Sequence, residues 1–146
     1  MTQVLLDTNI ISELGKPQPH PNVVDFLSGL PIAWLSTITL HELVYGLVLL
    51  PEGKRRNHIE SILSELVARY DDYIITIGQQ EARQAALLRA VAKEQGRTLH
   101  LADSLMAGTA KTHNLTLATR NTKDFEGLRM DVFNPFLSSS WPLSRI

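Results

Sequence analysis

Val4-Leu5-Leu6-Asp7-Thr8-Asn9-Ile10-Ile11-Ser12-Glu13-Leu14 is the stretch on which the fold turns. Three apolar residues stop abruptly at an acid, and apolar positions then recur at Ile10, Ile11 and Leu14. The first pattern is a short buried strand. The second is the inner face of a short helix, halted by Gly15 and by Pro17, Pro19 and Pro21. The alternation continues outward. A short helix near Asn22–Leu27 leads to a second strand, Ala33–Ser36, and Thr39 then precedes a helix carrying Leu40, Leu43, Val44, Leu47 and Val48, which ends before Pro51. A helix from Asn57 to Tyr70 repeats the same spacing with Ile59, Ile62, Leu63, Leu66 and Val67, and Tyr73–Ile77 reads as a third strand. Gln79 to Gln95 is a long helix closed by Gly96, which suits the left-handed position after a helix end. Leu101 to His113 is a further helix stopped by Asn114, followed by strands at Leu115–Ala118 and Val132–Phe133. Strands alternating with helices predict an α/β fold, with a mostly parallel central sheet of four to five strands and helices on both faces.

Composition bounds the function. The 146 residues are 44% hydrophobic, one domain's worth, and bury roughly 70% of the unfolded surface in a single core. A formal net charge of -1 excludes a strongly basic nucleic-acid coat protein and an acidic disordered tail. The absence of cysteine excludes a disulfide scaffold, a thiolate zinc site and a cysteine nucleophile, and fits a reducing compartment. The opening residues lack the basic start of a signal peptide, and the longest apolar stretch, Leu43 to Leu50, is too short to span a bilayer. The expectation is a soluble, cytoplasmic protein with no membrane association.

In open α/β sheets, ligands sit beyond the carboxyl ends of the strands. Four acids fall near those ends. Asp7 follows the first strand, Glu42 lies in the first turns of the helix after the second, Asp103 opens the helix before the fourth, and Asp124 sits in the loop after it. Each has a plainer reading: Asp7 and Asp103 as helix caps or dipole partners, Glu42 as a solvated helix residue, Asp124 as a turn residue. Their joint placement argues otherwise. Two unit charges about 6 Å apart repel by roughly 3 kcal/mol at an effective dielectric near 20, so such a cluster calls for a counter-ion. Hard divalent cations, Mg²⁺ or Mn²⁺, suit a carboxylate-only site, and their open positions suit phosphodiester hydrolysis.

Four segments then fall into place. Leu5–Leu14, the run Ser36-Thr37-Ile38-Thr39-Leu40-His41-Glu42-Leu43 with Gly46 after it, Leu101-Ala102-Asp103-Ser104-Leu105-Met106-Ala107-Gly108-Thr109-Ala110, and Thr119-Arg120-Asn121-Thr122-Lys123-Asp124-Phe125 resemble, in order and spacing, the four motifs of PIN domains. The resemblance is strongest to VapC-type toxins of bacterial toxin–antitoxin pairs, in the FitB-like branch. It implies a PIN-like three-layer α/β/α sandwich over residues 1–136, with residues 137–146 a C-terminal tail outside it. It implies a metal-dependent endoribonuclease holding one or two Mg²⁺ or Mn²⁺ ions. Asp7, Glu42 and Asp103 would hold the metal, Asp124 would complete the site, and Asn9, Thr119 and Asn121 would orient ligands or water. Metal-activated water would leave a 5′-phosphate and a 3′-hydroxyl on an RNA substrate, with transfer RNA the first choice. The implied partners are a second copy of the chain and a small antitoxin whose C-terminal segment covers the acidic groove, with operator DNA bound through the antitoxin alone. A PIN fold kept as a binding partner with little turnover is the competing reading.

Other features weigh less. Setting the four acids aside leaves eleven acids against fourteen bases, a formal +3 on the remaining surface, compatible with salt-sensitive RNA contacts. Arg120 is a candidate phosphate contact, with a local ion pair as the alternative, and Lys54-Arg55-Arg56 reads as a solvated turn between helices. His41 and Glu42 point about 100° apart on a helix, so they do not share a metal. Trp34 and Trp141 are read as packing residues. A haloacid-dehalogenase-type phosphatase needs a second Asp where Asn9 stands, and a phosphoacceptor receiver needs adjacent acids where Thr8 follows Asp7. The apolar faces of the Leu40–Leu50 and Asn57–Tyr70 helices exceed what one small sheet needs, which points to a homodimer.

Overall fold

A computed structural model describes residues 3–140. Its elements run β1 (Val4–Leu6), α1 (Thr8–Glu13), α2 (Pro21–Gly29), β2 (Ala33–Ser36), α3 (Thr37–Val48), α4 (Lys54–Tyr70), β3 (Ile74–Ile75), α5 (Gln79–Glu94), α6 (Leu101–Thr112), β4 (Thr116–Ala118) and β5 (Val132–Phe133). Short 3₁₀ turns occupy Asp71–Tyr73 and Thr122–Phe125. Trp141 and the rest of the tail to residue 146 lie outside the described residues.

β1 organises everything else. Its three side chains are wholly buried, and they alternate: Val4 and Leu6 enter one core, Leu5 the other. The first core is closed by Ile10 and Ile11 of α1, Val23 and Phe26 of α2, and Leu66 of α4. The second is closed by Leu88 and Ala92 of α5 with Met106, Ala107 and Ala110 of α6. Helices therefore cover both faces of the sheet, as the alternation of strands and helices predicts. All five strands are parallel, in the order β3-β2-β1-β4-β5. No helix among the described residues is long and apolar enough to cross a membrane.

Several boundaries differ from those read in the sequence. α3 begins at Thr37, directly after β2 with Ser36 as its N-cap, so Thr39 lies inside the helix. α4 begins at Lys54, so Lys54-Arg55-Arg56 is its first turn and not a loop. Three bases at the positive end of a helix oppose its dipole, which is why the sequence reads as a turn there. Gly53, at φ 150°, makes the sharp entry instead, and Arg56 Nη1 donates to Leu50 O at 3.4 Å across it. The third strand keeps only Ile74 and Ile75; Tyr73 ends a 3₁₀ turn, and Ile77 N donates to Thr37 Oγ1 at 3.2 Å rather than to a ladder. Trp34 packs edge-on against Tyr73, centroids 5.2 Å apart, and its Nε1 donates to Gln3 Oε1.

The strand order places a switch point beside β1. The chain leaves β1 toward β2 on one side, while β4 returns on the other, and a crevice opens beyond the carboxyl ends at such a point. On the β4 side, α5 and α6 meet at close range through Gly108: a Cβ there would lie 2.6 Å from both Ala85 N and Glu81 O. Gly108→Ala is therefore expected to cost about 3 kcal/mol of unfolding free energy, because backbone must yield. Gly46→Ala, inside α3 with nothing within 4 Å, is expected to stabilise by up to ~1 kcal/mol. Urea unfolding of both variants checks the contrast, and equal stabilities would refute the close packing.

Candidate functional site

The site begins with Asp7, the first residue past β1 and the N-cap of α1. Its backbone N–H donates to Ala118 O at 2.9 Å, continuing the β1–β4 ladder by one rung. That rung holds the carboxylate at the switch point, where it is 8% exposed. Oδ1 accepts from Thr8 N at 2.7 Å, and Oδ2 accepts from Thr119 Oγ1 at 2.8 Å and Asn9 Nδ2 at 3.2 Å. Asp7 is thus the N-cap of α1 and at the same time a wall of the polar cleft.

Thr119, wholly buried, is itself fixed: its Oγ1 accepts from Asn121 N at 3.1 Å. Asn9 Oδ1 accepts from Arg120 N at 3.1 Å, tying α1 to the segment after β4. Thr119 and Asn9 accordingly touch Asp7, whereas Asn121 reaches it only through the Thr119 hydroxyl. Glu42 arrives from α3, where Thr8 Oγ1 donates to its Oε1 at 2.6 Å. The Thr8 hydroxyl also stands 3.2 Å from that of buried Thr39.

Asp103 lies in the first turn of α6, half-buried. Asp7, Glu42, Asp103 and Asn121 line one polar cleft of about 270 Å³, with Thr8, Asn9, Ser12, Ala102 and Met106 completing its walls. Asp124 is exposed in the 3₁₀ turn Thr122–Phe125 beyond β4, whose Phe125 is buried, and acts on Asp103 through its charge. The structure therefore gathers three of the four acids around one cleft and sets the fourth at its edge. Among the described residues, no three acids or imidazoles close up into a finished metal cage. Sequence reasoning passed over Thr8, Ser12 and Thr39. Thr39 stands three residues before Glu42, on the same helix face, and that spacing was the available signal.

Electrostatics bears the marks of this crowding. Burial raises the Asp7 carboxyl above its ordinary value; the Thr119, Thr8 and Asn9 hydrogen bonds pull against that, and the Glu42 charge adds to it. Asp103 is likewise raised, by burial first and then by the charges of Asp7, Asp124 and Glu42, with His100 opposing. His41 lies flat against Tyr45 and outside the cleft. Arg120 makes no ion pair among the described residues; its guanidinium stands 4.8 Å above the Phe136 ring instead.

Beside the polar cleft runs an apolar groove of about 450 Å³ between α1, α3 and α4. Ile11, Leu43, Leu47, Ile59, Ile62 and Leu63 form its walls, and Thr8, Ser12 and Glu42 are common to groove and cleft. The face of α4 that the sequence marks as surplus lines this groove. α3 turns a second apolar row outward, with Tyr45 58% and Leu49 65% exposed.

Residues 4–129 match the PIN domain family model. The chain is 39% identical over 136 residues to toxin FitB of Neisseria gonorrhoeae, covering 91% of this chain and 98% of that one. It is 31% identical over 134 residues to a tRNA(fMet)-specific endonuclease VapC of Shigella flexneri, covering 90% and 98%. A solved structure of FitAB bound to a DNA fragment superposes with a TM-score of 0.85 at 37% identity, over 92% of this chain and 96% of that one.

The raised acids set a pH dependence. The folded chain binds the Asp7 and Asp103 protons more tightly than the unfolded chain, so their contribution is most favourable in acid. It falls as pH rises past the ordinary aspartate value of ~3.9 and levels off above the raised folded-state values. Glu13, lowered by Lys16 at 2.8 Å, contributes with the opposite sign, so a difference between variants is the useful quantity. With chelator present, Asp103→Asn is expected to melt a few degrees higher than wild type at pH 8, with the gap closing toward pH 4. Thermal melts across that range test it, and a gap independent of pH would contradict the assignment.

Proposed function

Because this chain belongs to the PIN-domain family, within its branch of VapC and FitB toxins, we propose that it is a Mg²⁺- or Mn²⁺-dependent endoribonuclease that cleaves transfer RNA as the toxin of a toxin–antitoxin pair. Members of the branch are generally ribonucleases. The observation that carries the reading is the cleft shared by Asp7, Glu42 and Asp103, with Asp124 charge-coupled at its edge.

The donor set fits a hard divalent cation. The cleft offers carboxylate, hydroxyl and amide oxygens, and the chain has no thiol. Oxygen ligands select Mg²⁺ and Mn²⁺ over zinc, and an incomplete cage suits Mg²⁺, which keeps several of its waters. Asp7, Glu42 and Asp103 would hold the first ion, and Asp124 would bind a second ion or its water. Bound there, the cation offsets charge on a phosphodiester and lowers the pKa of water. The chain's own part is orientation. Thr119, Thr8 and Asn9 hold the Asp7 carboxylate by three hydrogen bonds, and the Thr8 hydroxyl holds Glu42 in turn. Asn121 lines the same cleft, and Arg120, whose N–H donates to Asn9 of the cleft and whose guanidinium lies over Phe136, would meet a phosphate at its rim.

The surfaces suit the partners of this branch. The apolar groove that shares Thr8, Ser12 and Glu42 with the cleft would take the C-terminal segment of a small antitoxin, through which operator DNA is bound. The exposed row Val44, Tyr45, Val48 and Leu49 on α3 would pair with a second copy of the chain. Residues 1–136 would form the working domain, ending where Phe136 packs on the first core and Leu137 turns to solvent. The site of action would be the cytoplasm.

Purified chain free of antitoxin is expected to cut a total tRNA pool into discrete fragments with 5′-phosphate ends when Mg²⁺ or Mn²⁺ is supplied. Chelator is expected to abolish cleavage. Asp103→Asn is expected to slow it about a hundred-fold or more, the equivalent of ~3 kcal/mol of transition-state stabilisation. Intact RNA at every metal concentration would favour a binding partner without turnover; cyclic-phosphate ends surviving chelation would point to metal-free chemistry through the ribose 2′-hydroxyl.

A further inference from the structure

Asp124 differs from the other three acids in how it is held. Asp7 and Glu42 are fixed by hydrogen bonds to their own carboxylates, and Asp103 rides on a regular helix. Asp124 is exposed on a four-residue 3₁₀ turn, Thr122–Phe125, whose last side chain is buried in the second core, so its place depends on what holds the rest of that turn. Phe125 anchors the turn to the core, and Arg97, in the connection between α5 and α6, meets its carbonyls. Its Nη1 points at Lys123 O at 3.4 Å and Asp124 O at 3.5 Å, and its Nη2 donates to Glu126 O. Lys123 O already accepts from Glu126 N at 3.3 Å, so the guanidinium adds a second donor there and reaches the next carbonyls along the exit of the turn, as a planar five-donor group can.

The clamp is itself anchored. Arg97 N donates to Ala92 O at 2.9 Å, part of the closure of α5 after Gly96. Gln95 Oε1 accepts from Arg97 Nη2 at 2.8 Å, while Gln95 Nε2 donates to Gly127 O at 3.0 Å. Gly127 has φ 76°, and a Cβ there would lie 2.6 Å from Gln95 Oε1, so Gln95 lies directly against that backbone. Two side chains from one connection thus grip the turn at both its middle and its exit.

We propose that Arg97 is a positioning residue that holds the Asp124-bearing turn against the end of α5, and so fixes the fourth carboxylate relative to Asp7, Glu42 and Asp103. The inference rests on the metal-nuclease reading for its purpose, and on the hydrogen bonds alone for its mechanics. The same connection runs on through His100 into α6, so one short segment places Asp103 directly and Asp124 through Arg97.

The test uses full-length wild type, Arg97→Gln, Asp124→Asn and the double variant. Amide hydrogen exchange, which needs no metal, is expected to speed up over residues 122–127 in Arg97→Gln while β1 and β4 stay protected. Mn²⁺ affinity, read by the EPR signal of free Mn²⁺, is expected to fall about ten-fold in Arg97→Gln, the usual scale for groups that support a ligand. The double variant is expected to match Asp124→Asn alone, since Arg97 acts through that carboxylate. Unchanged exchange over residues 122–127 would overturn the clamp. Faster exchange with unchanged Mn²⁺ affinity, or losses that multiply in the double variant, would overturn its role toward Asp124. A wild type that binds no Mn²⁺ overturns the metal reading and the purpose given to the clamp, and exchange still decides whether Arg97 holds the turn.

Discussion

A carboxylate buried at the end of the central strand is the constraint around which this chain is arranged. Ionised Asp7 is costly in a low-dielectric surrounding, and the chain answers with three donors from three directions: the helix it caps, the amide two residues on, and a hydroxyl from across the sheet. Each donor needs a particular neighbour. Thr119 stands where it does because β4 pairs with β1 in register, Leu6 opposite Ala118. Asn9 faces Asp7 because α1 starts at once, with no intervening loop. The strand order, the abrupt helix start and the parallel pairing are thus all visible in the surroundings of one side chain.

From there the acids accumulate with less and less support. Glu42 has one hydroxyl, from Thr8, and α6 carries Asp103 in its first turn, where the helix dipole favours an anion. Asp124 has only its turn held, by buried Phe125 and by an arginine from another part of the chain. Hydrogen bonds to the acids are densest at the switch point and thin out toward solvent.

Much of this was legible in the residues. Val4-Leu5-Leu6 stopping at Asp7 marks both the central strand and the first acid, because a fully buried parallel strand is a run of apolar residues and its carboxyl end is where ligands meet it. The same logic pointed to Glu42, Asp103 and Asp124, of which Glu42 and Asp103 line the cleft with Asp7. What was not legible depends on distance along the chain. The Thr8–Glu42 bond spans 34 residues and the Arg97–Glu126 bond 29, and no local pattern announces either. The start of α4 was missed for a different reason: Lys54-Arg55-Arg56 sits where local electrostatics disfavours it, and tertiary packing of Ile59, Ile62, Leu63 and Leu66 prevails over that preference. The apolar groove was read as a helix face awaiting a partner, since sequence periodicity shows that a face is apolar without showing what lies opposite.

The wall between groove and cleft has a thermodynamic consequence. Thr8, Ser12 and Glu42 belong to both spaces, and the Thr8 hydroxyl has a single proton, given to Glu42. A ligand settling in the groove that takes the Thr8 proton leaves Glu42 without that donor and makes the potential in the cleft more negative, whereas one that spares the bond does not. For a ligand of the first kind, occupancy of one space is a function of occupancy of the other, by equal free energies in both directions. Two ligands that never touch would still sense each other through one shared proton.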